Sequence, residues 1–276
     1  MTYSINSMNT GIILHENNFL ALCLKIKDMH DNENIVYLQT AILHDLLFLL
    51  NNRLHVIQER MHNHIYQEEV ELETDRLSHH VPTLNAEELH TPQAHLRATS
   101  MMVKLREDNC IIHFTLQNET FYSLLVNDSQ VSFMLQIILK SLENVHSKEF
   151  IQNLISRLDY LSLYDVEFSD SQSNKVHYTQ YTPPSWKLDL FNYYIGIIFR
   201  FTDGNEDHLY SGAVIKTRTL PETPETNEIT QRLVLKTNRP CKTYSFLINA
   251  APGATYNIEE CIRPLNDFKN QIANSY

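Results

Sequence analysis

Histidines and carboxylates that could bind a metal ion are concentrated between residues 55 and 95. His55, Glu59 and His62 would share one face of a helix, because offsets of three, four and seven residues coincide there. Imidazole and carboxylate together suit Zn²⁺ or a similar divalent ion. The spacing matches neither HExxH nor another standard ligand pattern. The three residues form a candidate metal site, and the alternative interpretation is a solvent-facing helix and loop rich in histidine.

Glycine is scarce, and this bears on several enzyme classes. The chain has five glycines in 276 residues, with none between Gly11 and Gly196. Phosphate-binding loops and nucleophile elbows need glycine because only a residue without a Cβ permits their backbone angles and close approaches. The sequence therefore argues against P-loop, dinucleotide-binding and Gly-x-Ser-x-Gly chemistry.

Nuclease and thiol chemistry are also disfavoured. The single acid-x-lysine pair, Asp267 and Lys269, falls on a predicted helix, whereas a nuclease of the PD-(D/E)xK type needs it on a strand. Cys110 and His113 are three apart on a predicted strand, so they point to opposite faces. The four cysteines are widely spaced, which favours reduced, mostly buried thiols. We expect no cofactor unless the histidine-rich region binds a divalent ion.

A cluster of aromatic residues surrounds the Pro183–Pro184 loop and could bind a partner. Tyrosine, tryptophan and arginine dominate the energetics of protein interfaces. We take Trp186, with Tyr181 and Tyr194, as the candidate partner-binding group. The alternative interpretation is that these rings form the core of a β-rich domain.

Composition indicates a globular protein of the cytoplasm. The net charge is −11, and the 22 lysines and arginines are scattered, which makes nucleic-acid binding unlikely. No run approaches the ~18 apolar residues that a membrane span needs. The first ten residues lack the profile of a signal peptide. We therefore expect no membrane association.

The first half of the chain contains two units in which three strands precede a helix. Strand-like segments lie at 11–15, 19–27, 35–38, 101–106, 110–116 and 121–126, and helical periodicity follows at 40–61 and 129–144. A shift of 88 positions aligns the two apolar helix stripes, placing Leu43, Leu46, Leu47 and Leu50 on Val131, Met134, Leu135 and Ile138. This predicts a duplicated βββα unit within residues 1–146.

The rest of the chain differs in character. The polar, histidine-rich stretch at about 63–98 has little periodicity and predicts an extended or mobile excursion. Residues 147–276 predict a linking helix, an antiparallel β-rich domain and a closing helix at 257–272 that contains Pro264. One of the predicted strands is Ile229–Thr237. The fold class is therefore α+β, mainly antiparallel, with helices packed on one face of each sheet.

Two N-terminal segments carry a family resemblance. NTGIILHENNFLALCLKIKD at 9–28 and YLQTAILHDLLFLLNNRL at 37–54 resemble uncharacterised enterobacterial proteins of the YjeJ type. The resemblance implies a bacterial cytoplasmic protein of unassigned activity and transfers no catalytic residue.

These patterns favour a non-enzymatic protein that binds a protein partner or itself, and the composition suggests a role in phage–host conflict as a further hypothesis. The alternative is a metal-dependent hydrolase that uses the histidines and glutamates of residues 55–95. A third hypothesis is an acidic mimic of nucleic acid that uses the stretch from Glu68 to Asp75.

Overall fold

The structure is a computed structural model that describes residues 2–60, 64–168, 176–201, 209–237, 239–250 and 256–274. The chain divides into two compact units, Met1–Leu158 and Asp159–Tyr276. Both contain helices and mainly antiparallel sheets, so the predicted α+β class is confirmed. In the part of the chain described, no helix is long and apolar enough to span a bilayer.

The first unit contains one six-stranded sheet. Its strands are β1 (Thr2–His15), β2 (Asn18–Asp28), β3 (Glu33–Leu38), β4 (Ala98–Leu105), β5 (Asn109–Leu116) and β6 (Phe121–Asn127). Its helices are α1 (Thr40–Arg60), α2 (His64–His79), α3 (Ala86–His90), α4 (Asp128–Leu142) and α5 (Lys148–Ile155).

Two three-stranded meanders lie side by side in this sheet. The strand order is β3-β2-β1-β6-β5-β4, and neighbours are antiparallel except for β1 and β6. The parallel β1–β6 pairing joins the meanders head to tail. One helix follows each meander, α1 after β3 and α4 after β6, as the predicted βββα repeat requires.

The apolar stripes of α1 and α4 cover one face of the sheet. Leu43, Leu46, Leu47 and Leu50 of α1 are fully buried, as are Val131, Met134 and Ile138 of α4. Thr10 of β1 donates a hydrogen bond to the carbonyl of Ile137, 2.8 Å away, which fixes α4 over the centre of the sheet. This helix-covered side is the inner face.

The polar stretch at 63–98 is largely ordered, so the expectation of an extended or mobile excursion is wrong for its described residues. Residues 64–79 form α2, which packs against α4. Among the α2 side chains that the structure describes, from residue 66 onward, Val70 and Leu77 are buried, and they are seven residues apart. Buried residues spaced so widely do not produce a visible helical period in the sequence.

Residues 81–96 form what we call the covering segment, which lies on the outer face of β1–β3. Leu84, Leu89 and Leu96 pack against a buried cluster on that face. Gly11 makes this close approach possible, since a Cβ there would lie 2.8 Å from Leu89 Cδ2. The first meander is therefore covered on both faces.

The predicted boundary at residue 146 precedes α5, whereas α5 belongs to the first unit. Phe150 of α5 stacks on Phe19 of β2, with 4.7 Å between the ring centroids. Asn52 of α1 donates to the carbonyl of Leu158, 2.8 Å away. These contacts hold the linking helix to the first sheet, and the division falls after residue 158.

The second unit contains one five-stranded sheet of order β11-β9-β10-β7-β8. Its strands are β7 (Tyr160–Phe168), β8 (Val176–Gln180), β9 (Tyr193–Phe201), β10 (Tyr210–Thr217) and β11 (Cys241–Ala250). Its helices are α6 (Ser185–Leu188), α7 (Pro224–Thr237) and α8 (Ile258–Asn274), and α8 contains Pro264.

Two predictions for this unit are wrong. The segment Ile229–Thr237 is helical, because Ile229 and Leu233 are four residues apart and both pack on the sheet. The helices also lie on both faces of the sheet, not on one. Leu265 of α8 packs with Val214, whereas α7 packs with Ile215 on the opposite face.

Candidate functional site

The structure places two of the three predicted metal ligands on the surface of α1. His55 and Glu59 are exposed there, and His62 lies outside the described residues. Within the described ranges, no group of three or more histidine, cysteine, aspartate or glutamate side chains is arranged to hold a metal ion. The His55–Glu59–His62 site therefore stays a prediction, with two accessible ligands and no third one placed.

The predicted aromatic binding group is divided between interior and surface. Trp186 and Tyr194 are buried within the second unit, which removes Trp186 as an exposed anchor. The short helix α6 turns the Trp186 ring inward from the Pro-Pro loop. Tyr181 is 42% exposed and donates a hydrogen bond to Asp165, 2.6 Å away. Only the tyrosine at 181 remains available to a partner.

A buried amine lies near this aromatic group. Lys216 of β10 is fully buried, and its Nζ donates to the carbonyl of Leu188 at 2.8 Å. Nζ also lies 4.8 Å from the centre of the Tyr194 ring. Burial lowers the pKa of Lys216 from its ordinary value, and Asp189 opposes this fall. Sequence reasoning missed this residue because a lysine in a strand usually faces solvent.

A buried ion pair fixes the helices of the first unit. Arg53 of α1 binds both carboxylate oxygens of Asp128, the first residue of α4, and donates to the carbonyl of Glu107. Burial raises the pKa of Asp128, and the Arg53 and Arg60 guanidiniums oppose this rise. The network ties α1, α4 and the β4–β5 turn together, which is a structural role.

The outer face of β4–β6 exposes two large apolar side chains, although Ile111 and Ser123 on the same face are buried. Three rows of side chains run across it, Ser100–Thr115–Phe121, Met102–His113–Ser123 and Lys104–Ile111–Leu125. Phe121 is 74% exposed and Met102 is 67% exposed. We call these nine residues the outer patch. It contains a lysine and a histidine but no carboxylate, although the chain carries a net charge of −11.

The outer patch is equivalent to the face that the covering segment occupies on β1–β3. Lys25 pairs with Ile35 in the first meander, and His113 pairs with Ser123 in the second. The shift of 88 positions that aligns the helices also places Lys25 on His113 and Ile35 on Ser123. The second and third strands of the two meanders therefore present equivalent positions, which we call a grid, and only the grid of the first meander is covered by residues 81–96.

The covered grid shows what chemistry suits such a face. Lys25 is buried and donates to Glu88 at 2.8 Å and to the carbonyl of Thr83 at 2.9 Å. Burial opposes the charge on Lys25, yet the hydrogen bonds to Glu88 and Glu33 raise its pKa overall. The Tyr37 hydroxyl donates to the carbonyl of Glu88 at 3.1 Å. On this face, the leucines of the covering segment thus pack on the apolar side chains, and its central carboxylate pairs with the buried lysine.

The exposed side of α2 carries negative charge around a single leucine. Glu68, Glu71, Leu72 and Asp75 lie three and four residues apart, and we call them the acidic stripe. Leu72 is 72% exposed. Like charges at these spacings each destabilise a helix by about 0.2–0.5 kcal/mol, a cost that a neighbouring cation would relieve.

A groove runs beside the acidic stripe, between α2 and α4. It has a volume of about 420 Å³ and a mainly polar lining, formed by Val70, Glu71, Thr74, Asp75 and Ser78 of α2 and by Ser132 and Gln136 of α4. A second hollow, lined by Glu68, Glu71, Leu72 and Asp75, adjoins it. The sequence signal for this site was the acidic run at 67–75, but the groove itself depends on the packing of α2 on α4.

Comparison with known proteins reveals one family. A family model described as YjeJ-like matches residues 1–275. The chain is 29% identical over 282 residues to "Uncharacterized protein YjeJ" of Escherichia coli strain K12, which covers 98% of this chain and 96% of that protein. No solved structure matches. The resemblance inferred from residues 9–28 and 37–54 is thereby confirmed across the whole chain.

Proposed function

We propose, from the surface of the chain itself, that this member of the YjeJ-like family is a non-enzymatic protein-binding protein. Its relative in Escherichia coli is uncharacterized and provides no activity to transfer. The outer patch receives a leucine-bearing, acidic segment of a partner. The observation that carries the proposal is the contrast between two equivalent sheet faces, one covered by residues 81–96 and the other exposed.

The exposed face has the properties of a binding surface. Phe121 and Met102 project from it, and aromatic and methionine side chains are enriched at the centres of interfaces. His113 Nδ1 lies 2.7 Å from Ser123 Oγ, so the pair orients the imidazole at the centre of the patch. Lys104 adds positive charge at one corner. An acidic partner segment would satisfy both polar groups, as Glu88 satisfies Lys25.

The covering segment itself supplies a probe for this surface. A fluorescent peptide with the sequence of residues 81–96 carries the leucines and the glutamates that suit the equivalent grid. We expect it to bind the full-length protein at low protein concentration, measured by fluorescence anisotropy. A scrambled peptide of the same composition should not bind.

A pair of matched variants locates the binding site. Phe121→Asp places a carboxylate on the outer patch and should weaken peptide binding at least ten-fold. Leu235→Asp is the control, because Leu235 is equally exposed, at 74%, but lies on α7 of the second unit. Equal binding to both variants, or no binding to the unmodified protein, would refute the proposal.

A further inference from the structure

We propose that the natural occupant of the outer patch is the acidic stripe of a second copy of this chain, so that copies associate head to tail. The inference rests on the proposed function, because it names the partner of the same surface. It is argued from two surfaces of the first unit that are exposed in a single copy. One is the outer face of β4–β6, and the other is an acidic helix with an exposed leucine.

The acidic stripe has the chemistry that the outer patch requires. On the equivalent grid, Leu84 and Leu89 pack on the strands while Glu88 binds the central Lys25. On α2, Leu72 lies beside Glu71 and within one turn of Asp75. In a second copy, these carboxylates would meet Lys104 and His113, the cationic side chain and the imidazole of the outer patch.

The dimensions of the two surfaces also agree. Three adjacent strands present a surface roughly 10 Å wide, since neighbouring strands are about 4.8 Å apart. An α-helix with its side chains is about 10 Å across. One helix therefore fits over β4–β6. This is possible because the helices of β4–β6 lie on one side of the sheet and leave the other side available for a further layer.

Leu72, at the rim of the groove beside α2, provides an apolar contact for the projecting aromatic ring. Phe121 extends from one edge of the outer patch with 74% of its surface exposed. The groove between α2 and α4, of about 420 Å³, opens next to Leu72 and Asp75. The groove itself is lined mainly by polar side chains, so the Phe121 ring would pack on Leu72 at its rim, and this contact would bring the acidic stripe to the outer patch.

The two surfaces lie on opposite sides of the sheet layer, which determines the symmetry of the assembly. The outer patch is on the face away from α1 and α4, whereas the acidic stripe belongs to a helix that packs on α4. A contact between different surfaces is heterologous, so each added copy leaves one outer patch and one acidic stripe unused. The assembly grows into a chain or closes into a ring.

Sedimentation velocity of the full-length protein over a concentration series tests the idea. We expect the unmodified protein to form species larger than a dimer as its concentration rises. Phe121→Asp and Leu72→Lys should each remain monomeric, because each variant places like charges at the contact. Leu235→Asp should behave as the unmodified protein does, since it changes an equally exposed leucine elsewhere.

Mixing the two defective variants distinguishes head-to-tail association from a symmetric dimer. Phe121→Asp retains its acidic stripe, and Leu72→Lys retains its outer patch, so an equimolar mixture should form a one-to-one dimer and nothing larger. A mixture that stays monomeric, or an unmodified protein that is monomeric at every concentration, overturns the inference. If the peptide of residues 81–96 still binds in that case, the outer patch takes another partner and the proposed function stands.

Discussion

Asp128 and Arg53 illustrate how one buried pair can determine the arrangement of several elements. Asp128 begins α4, and both of its oxygens are bound by a guanidinium from α1. Removing one member of a buried pair leaves the other charged without compensation, which typically costs 3–5 kcal/mol. The pair therefore contributes to stability mainly through the penalty for breaking it.

We expect Asp128→Asn to lower the free energy of unfolding of the first unit by about 3 kcal/mol, measured by urea denaturation. Asp108→Asn is the matched control, since Asp108 pairs with Arg60 at the surface with 73% of its side chain exposed. Surface pairs contribute about 0–1 kcal/mol. Similar losses in the two variants would contradict the structural role of the buried pair.

Lys216 presents a different case, a buried amine with a carbonyl and a ring as its neighbours. Because its folded pKa is lowered from 10.5, the unfolded chain binds more protons between the two pKa values. Stability should therefore rise with pH in that interval. We expect Lys216→Met to stabilise the second unit by about 1 kcal/mol at neutral pH and to remove the rise. Destabilisation at neutral pH would show that the amine's contacts outweigh its burial.

The covering segment is the clearest example at the scale of elements. It is attached by the packing of its three leucines on the strands and by the hydrogen bond of Lys25 to Glu88, and it covers Cys23 of β2. Burial opposes the charge of Glu88, yet the hydrogen bonds from Lys25 and the Asn85 backbone lower its pKa below 4.5. A carboxyl with a lowered folded pKa stabilises the attachment above pH 4.5, and this contribution is lost as pH falls through the folded value.

We expect Glu88→Gln to increase the rate at which Cys23 reacts with a thiol reagent about ten-fold at neutral pH, because a charge-assisted hydrogen bond is lost. Burial raises the pKa of Cys23 to about 12, so its reaction reports opening of the segment. A Cys241→Ser background removes the half-buried thiol. Glu33→Gln is the control, since Glu33 also contacts Lys25 but belongs to β3. An equal increase in the Cys23 reaction rate in this control would show that release of the covering segment is not the cause.

Each of the two compact units has an apolar core of its own. Separate cores can unfold separately, since cooperativity depends on the contacts that are shared. Calorimetry of the full chain should therefore show two transitions. Asp128→Asn should lower the midpoint temperature of the transition of the first unit, and Lys216→Met should raise that of the second unit. A shift of both midpoints in either variant would show that the units unfold together.

Local pattern in the sequence was sufficient to predict the meanders, the helices that follow them and the family. Alternation and helical periodicity are properties of neighbouring residues, and the leucine stripe of α1 and the apolar stripe of α4 are buried as that pattern requires. The same local reasoning failed for α7, where Ile229 and Leu233 are compatible with a strand as well as a helix, until packing on the sheet selects the helix.

Only the tertiary structure decided which surfaces are covered. The sequence does not show that residues 81–96 return to the first meander, that Trp186 is turned inward, or that Phe121 and Leu72 remain exposed. Burial depends on which distant segment lies against a residue, and no local period encodes that contact. The candidate binding surfaces therefore follow from the packing of remote elements, whereas the elements themselves follow from the spacing of apolar side chains along the chain.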